Sequence, residues 1–152
     1  MAQGIRVAAR EWDLEDMAVH VKGLEPAGYG PRILKGVGLG YVTSDRGTCH
    51  LRATFYKAEL SCMIDPNVIE GKAELFVDFE ERLTLFNLLI LCLFYKGLNP
   101  LEELEHMIYV LTGLKANKEK VKPTASRTTN VVRNFNIQEG LKPEDDQLPR
   151  RL

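Results

Sequence analysis

Residues Glu80 to Tyr95, EERLTLFNLLILCLFY, open with charge and then turn apolar on every side: Leu83, Leu85, Phe86, Leu88, Leu89, Ile90, Leu91, Leu93 and Phe94. A helix apolar all round belongs in a protein core or in a membrane. The unbroken run from Leu88 to Leu91 is far shorter than the roughly 18–20 residues of a span, and Asn87 and Cys92 interrupt the apolar face. The stretch therefore predicts a central core helix with Cys92 near its C-terminal end. A free cysteine there has two readings: a small core hydrophobe, its ordinary role, or a soft metal ligand.

The 152 residues are enough to bury such a core unaided, as one domain or as two small subdomains sharing it. Twenty Lys and Arg against 21 Asp and Glu leave a net charge of −1, and the basic residues are scattered, which argues against nucleic acid or an acidic membrane surface as partner. Three cysteines without close spacing argue against a disulfide framework and for a reducing, cytoplasmic setting. The opening MAQGIRVAAREWD has no apolar signal region.

Along the chain, residues 4–20 carry an imperfect helical pattern through Ile5, Val7, Ala8, Trp12, Leu14 and Met17. VKGLEPAGYGPR, residues 21–32, reads as an ordered loop or successive turns. In the next segment Gly36, Gly38 and Gly40 alternate, as in a helix packed closely on a neighbour or in a glycine-rich turn. GVGLG lacks the spacing and the preceding strand of a dinucleotide fingerprint. Cys49 and His50 follow, flanked by Arg46 and Arg52, a grouping that predicts either an electropositive pocket or a helix start with solvated arginines. Residues 58–79 read as a surface connection, with Asp65-Pro66-Asn67 and Glu70-Gly71 as turn signals.

After the apolar stretch, Asn99 as N-cap and Pro100 in the first turn predict a helix with Leu101, Leu104, Ile108 and Leu111 on its buried face, a solvated His106, and a stop at Thr112-Gly113. A last helix is expected from near Pro123 through Val131, Val132 and Phe135, followed by a polar tail lying over the surface. No alternating strand series is present, so the fold class is all-α. No C-x-x-C pair, P-loop, HExxH or Ser/His/Asp order occurs. Residue chemistry alone stops at a helical domain with a polar pocket.

The run VKGLEPAGYGPR…GVGLGYVTSDRGTCHLRA, then FNLLILCLFY, TGL and FNIQEGLKPEDDQLPRRL, closely resembles the tungsten-containing aldehyde:ferredoxin oxidoreductase family over nearly the whole chain. The resemblance implies a multihelical array corresponding to that family's second and third domains, with residues 1–79 in one and 80–152 in the other, sharing one core. It also implies a reaction, oxidation of an aldehyde to a carboxylate at a tungsten or molybdenum bis-pterin. Electrons then leave through a [4Fe–4S] cluster to ferredoxin.

Cys92 matches the family's distant cluster cysteine; the family's other three, from a C-x-x-C-x-x-x-C run, have no counterpart in this sequence, and Cys62 cannot replace them. The family's D-x-x-G-L-C pattern before it reads Asn87-Leu88-Leu89-Ile90-Leu91-Cys92 here, so Asn87, Leu88 and Leu91 are the expected pterin contacts, with Asn in place of Asp and Ile90 in place of Gly. His50 matches the histidine that handles the aldehyde proton, with Cys49 the alternative should the register slip by one.

The resemblance further implies a chain that begins inside the second domain, binds no cofactor alone and is inactive in isolation. Two alternatives stand beside that reading: the small subunit of a split enzyme whose partner carries the N-terminal domain, or a scaffold module without redox work. Self-association is also open.

Overall fold

The computed structural model describes residues 3–97 and 101–152. The described residues form six α-helices: α1 (Ile5–Glu11), α2 (Lys35–Thr43), α3 (Tyr56–Leu60), α4 (Lys72–Leu88), α5 (Leu101–Thr112) and α6 (Lys118–Gln138). Short 3-10 turns cover Glu15–Met17, Leu93–Tyr95 and Pro143–Asp145, and no strand occurs among the described residues beyond an isolated bridge between Val21 and Leu24. The all-α expectation holds.

α4 is the centre, with α2 against one side and α6 against the other. It runs through the junction between residues 79 and 80, so both halves of the chain share it. Leu85 of α4 packs with Val121 and Ala125 of α6, and Ile108 of α5 closes that cluster. Phe76 of α4 packs with Ala53 and Phe55. A third cluster, Val21, Leu34, Val37 and Tyr41, takes Leu148 of the C-terminal tail as a lid.

The alternating glycines form a helix rather than a turn. A Cβ on Gly36 would stand 2.1 Å from Cδ1 of the buried Phe55, so only glycine lets the two approach this closely. The amide of Gly36 in the first turn of α2 donates to Glu59 Oε1 at 2.9 Å, and the same oxygen accepts from Lys72 Nζ at 2.7 Å. Lys72 also donates to the carbonyls of Asp65 and Pro66. Both side chains are buried, so this pair joins α3, α4, the start of α2 and the loop between α3 and α4.

Several expectations need correction. The central helix occupies Lys72–Leu88, not Glu80–Tyr95, and residues 58–79 are not a surface connection: only the segment between α3 and α4 is. The polar run was misleading because Lys72 and Glu59 neutralise each other inside. Nor is the apolar stretch buried throughout. Leu83, Leu85 and Phe86 are buried, but Leu88 is exposed, Ile90 is 92% exposed and Phe94 91%. The helix stops because Ile90 takes a left-handed backbone with φ 57°, Ile90 N–H donates to Asn87 O, and Leu91 N–H reaches back to Phe86 O at 2.9 Å. That is a Schellman closure, which uses up the last carbonyls and turns the chain away from the core.

On α5, Leu104 is buried and Leu111 is exposed, so the apolar stripe is shorter than its spacing suggested. The expected cap at Asn99 and Pro100, and the side chain of Leu101, lie outside the described residues. His106 is exposed as expected. α6 starts at Lys118, with Asn117 Oδ1 accepting from Lys120 N–H, so Pro123 lies inside it, and Val131 and Phe135 face outward. At the N-terminus only Ile5–Glu11 is α-helical, and Trp12, Leu14 and Met17 are exposed.

The tail lies on the surface but is anchored. Asp146 accepts from Lys22 Nζ at 2.6 Å and from Arg133 Nη1 at 3.2 Å. Lys22 also donates to the carbonyls of Val42 and Ser44 at the end of α2.

Candidate functional site

The end of α4 presents its sequence-selected residues outward. Asn87, Leu88 and Cys92 are exposed and Leu91 is half-buried. Cys92 lies past the helix as the first residue of the turn that becomes Leu93–Tyr95, and its thiol is free. The sequence placed this cysteine where a buried helix emerges; the Schellman turn instead carries it outside the core. Leu91 has its N–H committed to Phe86 O.

Asn87 and Leu88 also border a pocket of about 200 Å³ between the end of α2, α4 and α6. Its walls carry Asp45, Arg52, Glu80 and Arg133, of which the sequence singled out only Arg52, and that for a pocket around Cys49 and His50. Asp45 and Arg52 share the segment between α2 and α3, but Glu80 comes from α4 and Arg133 from α6, so no local spacing links all four. Arg52 holds Asp45 bidentately, Nε to Oδ1 at 2.8 Å and Nη2 to Oδ2 at 2.7 Å. Burial, then the charge of Asp45, pushes the Glu80 carboxyl above the usual carboxylate range, with Arg52 opposing.

Of the two readings of the stretch around Cys49 and His50, an electropositive pocket of free arginines does not form, and neither arginine is simply solvated. Arg52 is held by Asp45, and Arg46 Nη2 donates to Cys49 Sγ at 2.8 Å. Of the adjacent pair, Cys49 is buried and His50 half-buried. The imidazole lies 5.4 Å from the Tyr29 ring and edge-on to Tyr56 at 5.9 Å, beside the stacked Tyr29–Tyr56 pair. Burial, then Arg46 and Lys96, holds His50 below its ordinary 6.5. Lys96 follows shortly after Cys92, so the turn beyond α4 acts on His50 electrostatically.

Among the described residues, no group of three or more His, Cys, Asp or Glu side chains comes together to hold a metal ion, and no helix is long and apolar enough to cross a membrane.

Residues 1–152, the whole chain, match the sequence profile described as aldehyde ferredoxin oxidoreductase, domains 2 & 3. The chain belongs to this family. The tungsten-containing aldehyde ferredoxin oxidoreductases of Pyrococcus furiosus and Thermococcus kodakarensis are each 30% identical to it over 157 aligned positions, covering 100% of this chain and 26% of the relative. That of Pyrococcus abyssi is 29% identical over the same span. The chain thus spans about a quarter of the length of these curated relatives, and the helical architecture agrees with a match to the family's second and third domains.

Proposed function

We propose that this chain supplies the helical portion of a tungstopterin iron–sulfur oxidoreductase that converts aldehydes to carboxylic acids and delivers the electrons to ferredoxin. The observation that carries this is the turn after α4, where a free, exposed Cys92 and the exposed Asn87 and Leu88 stand together at one helix end. A cubane cluster takes a full set of cysteine thiolates. Cys92 fits one ligand of such a set rather than a whole site, and an exposed thiol is open to a cluster shared with other polypeptide. When bound, the metal–pterin group supplies the two-electron oxidation, and the cluster carries the electrons away.

The chain's own residues divide the remaining work. Asn87 offers a pterin both amide donor and carbonyl acceptor, without the charge of an aspartate. Leu88 and Leu91 contribute apolar surface, and Leu91 its carbonyl. His50 accepts the aldehyde proton; its lowered pKa favours the unprotonated imidazole that such a role requires. The same exposed end serves a split enzyme, in which a separate chain carries the N-terminal domain and the other thiolates.

The test is anaerobic co-expression of this chain with the N-terminal part of the Pyrococcus furiosus relative. Iron, tungsten and aldehyde-dependent viologen reduction are then measured on the purified complex. Iron and activity are expected with the native chain and reduced iron with Cys92→Ser. Iron content and activity untouched by that substitution would remove Cys92 as a ligand and the reading with it.

A further inference from the structure

A second cleft, of about 750 Å³, opens between α3, α4 and the turn beyond Cys92. That size falls within the about 300–1,000 Å³ of small-molecule sites. Its inner wall is apolar: Ala58 and Leu83 are buried, Phe79 is half-buried, and Met63 stands exposed at the rim. Lys57 from α3 and Lys96 from the turn face the same space, with Arg82 of α4 alongside. No Asp or Glu is among the lining residues.

Elsewhere, several part-buried or buried cations are matched by carboxylates. Lys72 is matched by Glu59, Arg52 by Asp45, and both Lys22 and Arg133 by Asp146. At the cleft, two ammonium groups stand over an apolar wall and no carboxylate of a described residue pairs with either. Arg82 Nη2 donates to the Lys96 carbonyl at 3.2 Å, which fixes the turn against α4 and keeps Lys96 at the cleft. Lys57 is exposed and Lys96 half-buried; like charges placed side by side repel, and a bound anion reduces that cost. The Lys96 ammonium registers the tension: burial, then Lys57, pushes its pKa down to about 8.

We propose that this cleft binds an organic anion with a carboxylate head and an apolar tail, the head between Lys57 and Lys96 and the tail along Phe79 and Leu83. The two parts of the ligand answer two separate features of the wall, cations at the mouth and aliphatic and aromatic surface within. The site does not draw on Cys92, on His50 or on any cofactor.

The experiment titrates the full chain with octanoate, with octanol (same tail, no charge) and with acetate (same head, no tail), followed by calorimetry and by the nuclear magnetic resonance of the lysine side chains. Octanoate is expected to bind saturably and to raise the Lys96 titration midpoint, with octanol and acetate each weaker by about ten-fold or more. The double variant Lys57→Gln/Lys96→Gln is expected to lose at least about ten-fold in octanoate affinity, and Lys57→Arg/Lys96→Arg to keep most of it. Circular dichroism confirms that each variant is folded; these side chains lie outside the core clusters. Octanol binding as tightly as octanoate, or octanoate binding unchanged by the Gln pair, overturns the proposal.

Discussion

Ile90 ends α4 with the same backbone closure that Gly140 uses to end α6. Gly140 has φ 98°, its N–H donates to Ile137 O, and Leu141 N–H reaches Asn136 O at 2.9 Å. Ile90 has φ 57° and the matching pair of bonds, to Asn87 O and from Leu91 N–H to Phe86 O. Glycine takes this left-handed position without penalty, while a β-branched residue is strained there. The resemblance pointed to a glycine at this position, and here Ile90 holds the turn.

The first prediction follows. Ile90 is 92% exposed, so Ile90→Gly gives up almost no packing. Relief of about 1–2 kcal/mol of left-handed strain exceeds the extra chain entropy of glycine, about 0.5–1 kcal/mol. The variant is expected to be more stable by several tenths to about 1 kcal/mol. Urea unfolding reads this directly; a lower midpoint would mean that Ile90 contributes contacts of its own.

The Glu59–Lys72 pair gives a coupling test. Lys72→Met leaves a buried carboxylate without its cation and is expected to cost about 3–5 kcal/mol. Glu59→Gln with Lys72→Met removes both charges and keeps an oxygen for the Gly36 amide, so the double variant is expected to recover much of that loss. Denaturant titration of the two singles and the double closes the cycle. Additive losses would show that the two charges do not act as a pair.

Phe55 and Gly36 make a steric prediction. Because the added methyl would stand 2.1 Å from a ring that is itself 2% exposed, Gly36→Ala forces the ring or α2 to move. The expected cost is about 1–3 kcal/mol. Gly97, with nothing within 4 Å of an added Cβ, is the control position, where alanine introduces no clash. Equal effects at the two sites would refute the close-packing account.

Asp146 sets a pH dependence. Burial works to raise its pKa, but hydrogen bonds from Arg133 and Lys22, with their charges, prevail and hold it below the ordinary 3.8. A carboxyl depressed in the folded state stabilises above its unfolded value, and that contribution is lost as pH falls through the folded one. Stability should therefore drop on acidification below about pH 4. Asp146→Asn should lower stability at neutral pH and flatten this acid limb. Thermal melts from pH 7 to pH 2 provide the measurement, and an unchanged acid limb in the variant would reassign it to another carboxylate.

What the sequence determined by itself was local. Helical spacing and the turn signals at Asp65-Pro66-Asn67 and Glu70-Gly71 depend on residues near one another in the chain, and the all-α class follows from them. The family resemblance was legible too, since SDRGTCHLRA and FNIQEG are contiguous blocks.

The tertiary structure alone decided which apolar residues are inside. Leu83 and Phe94 look alike in a periodicity argument, yet one is 2% exposed and the other 91%, because burial depends on the surface brought opposite and not on the side chain's own hydrophobicity. The converse holds for Lys72, read as part of a surface connection and found buried because Glu59 meets it. Cys92 and His50 show the same division for the site. Their identities were readable, but whether each faces outward or inward was decided by a helix stop at Ile90 and by the rings of Tyr29 and Tyr56, which fold brings together from distant positions.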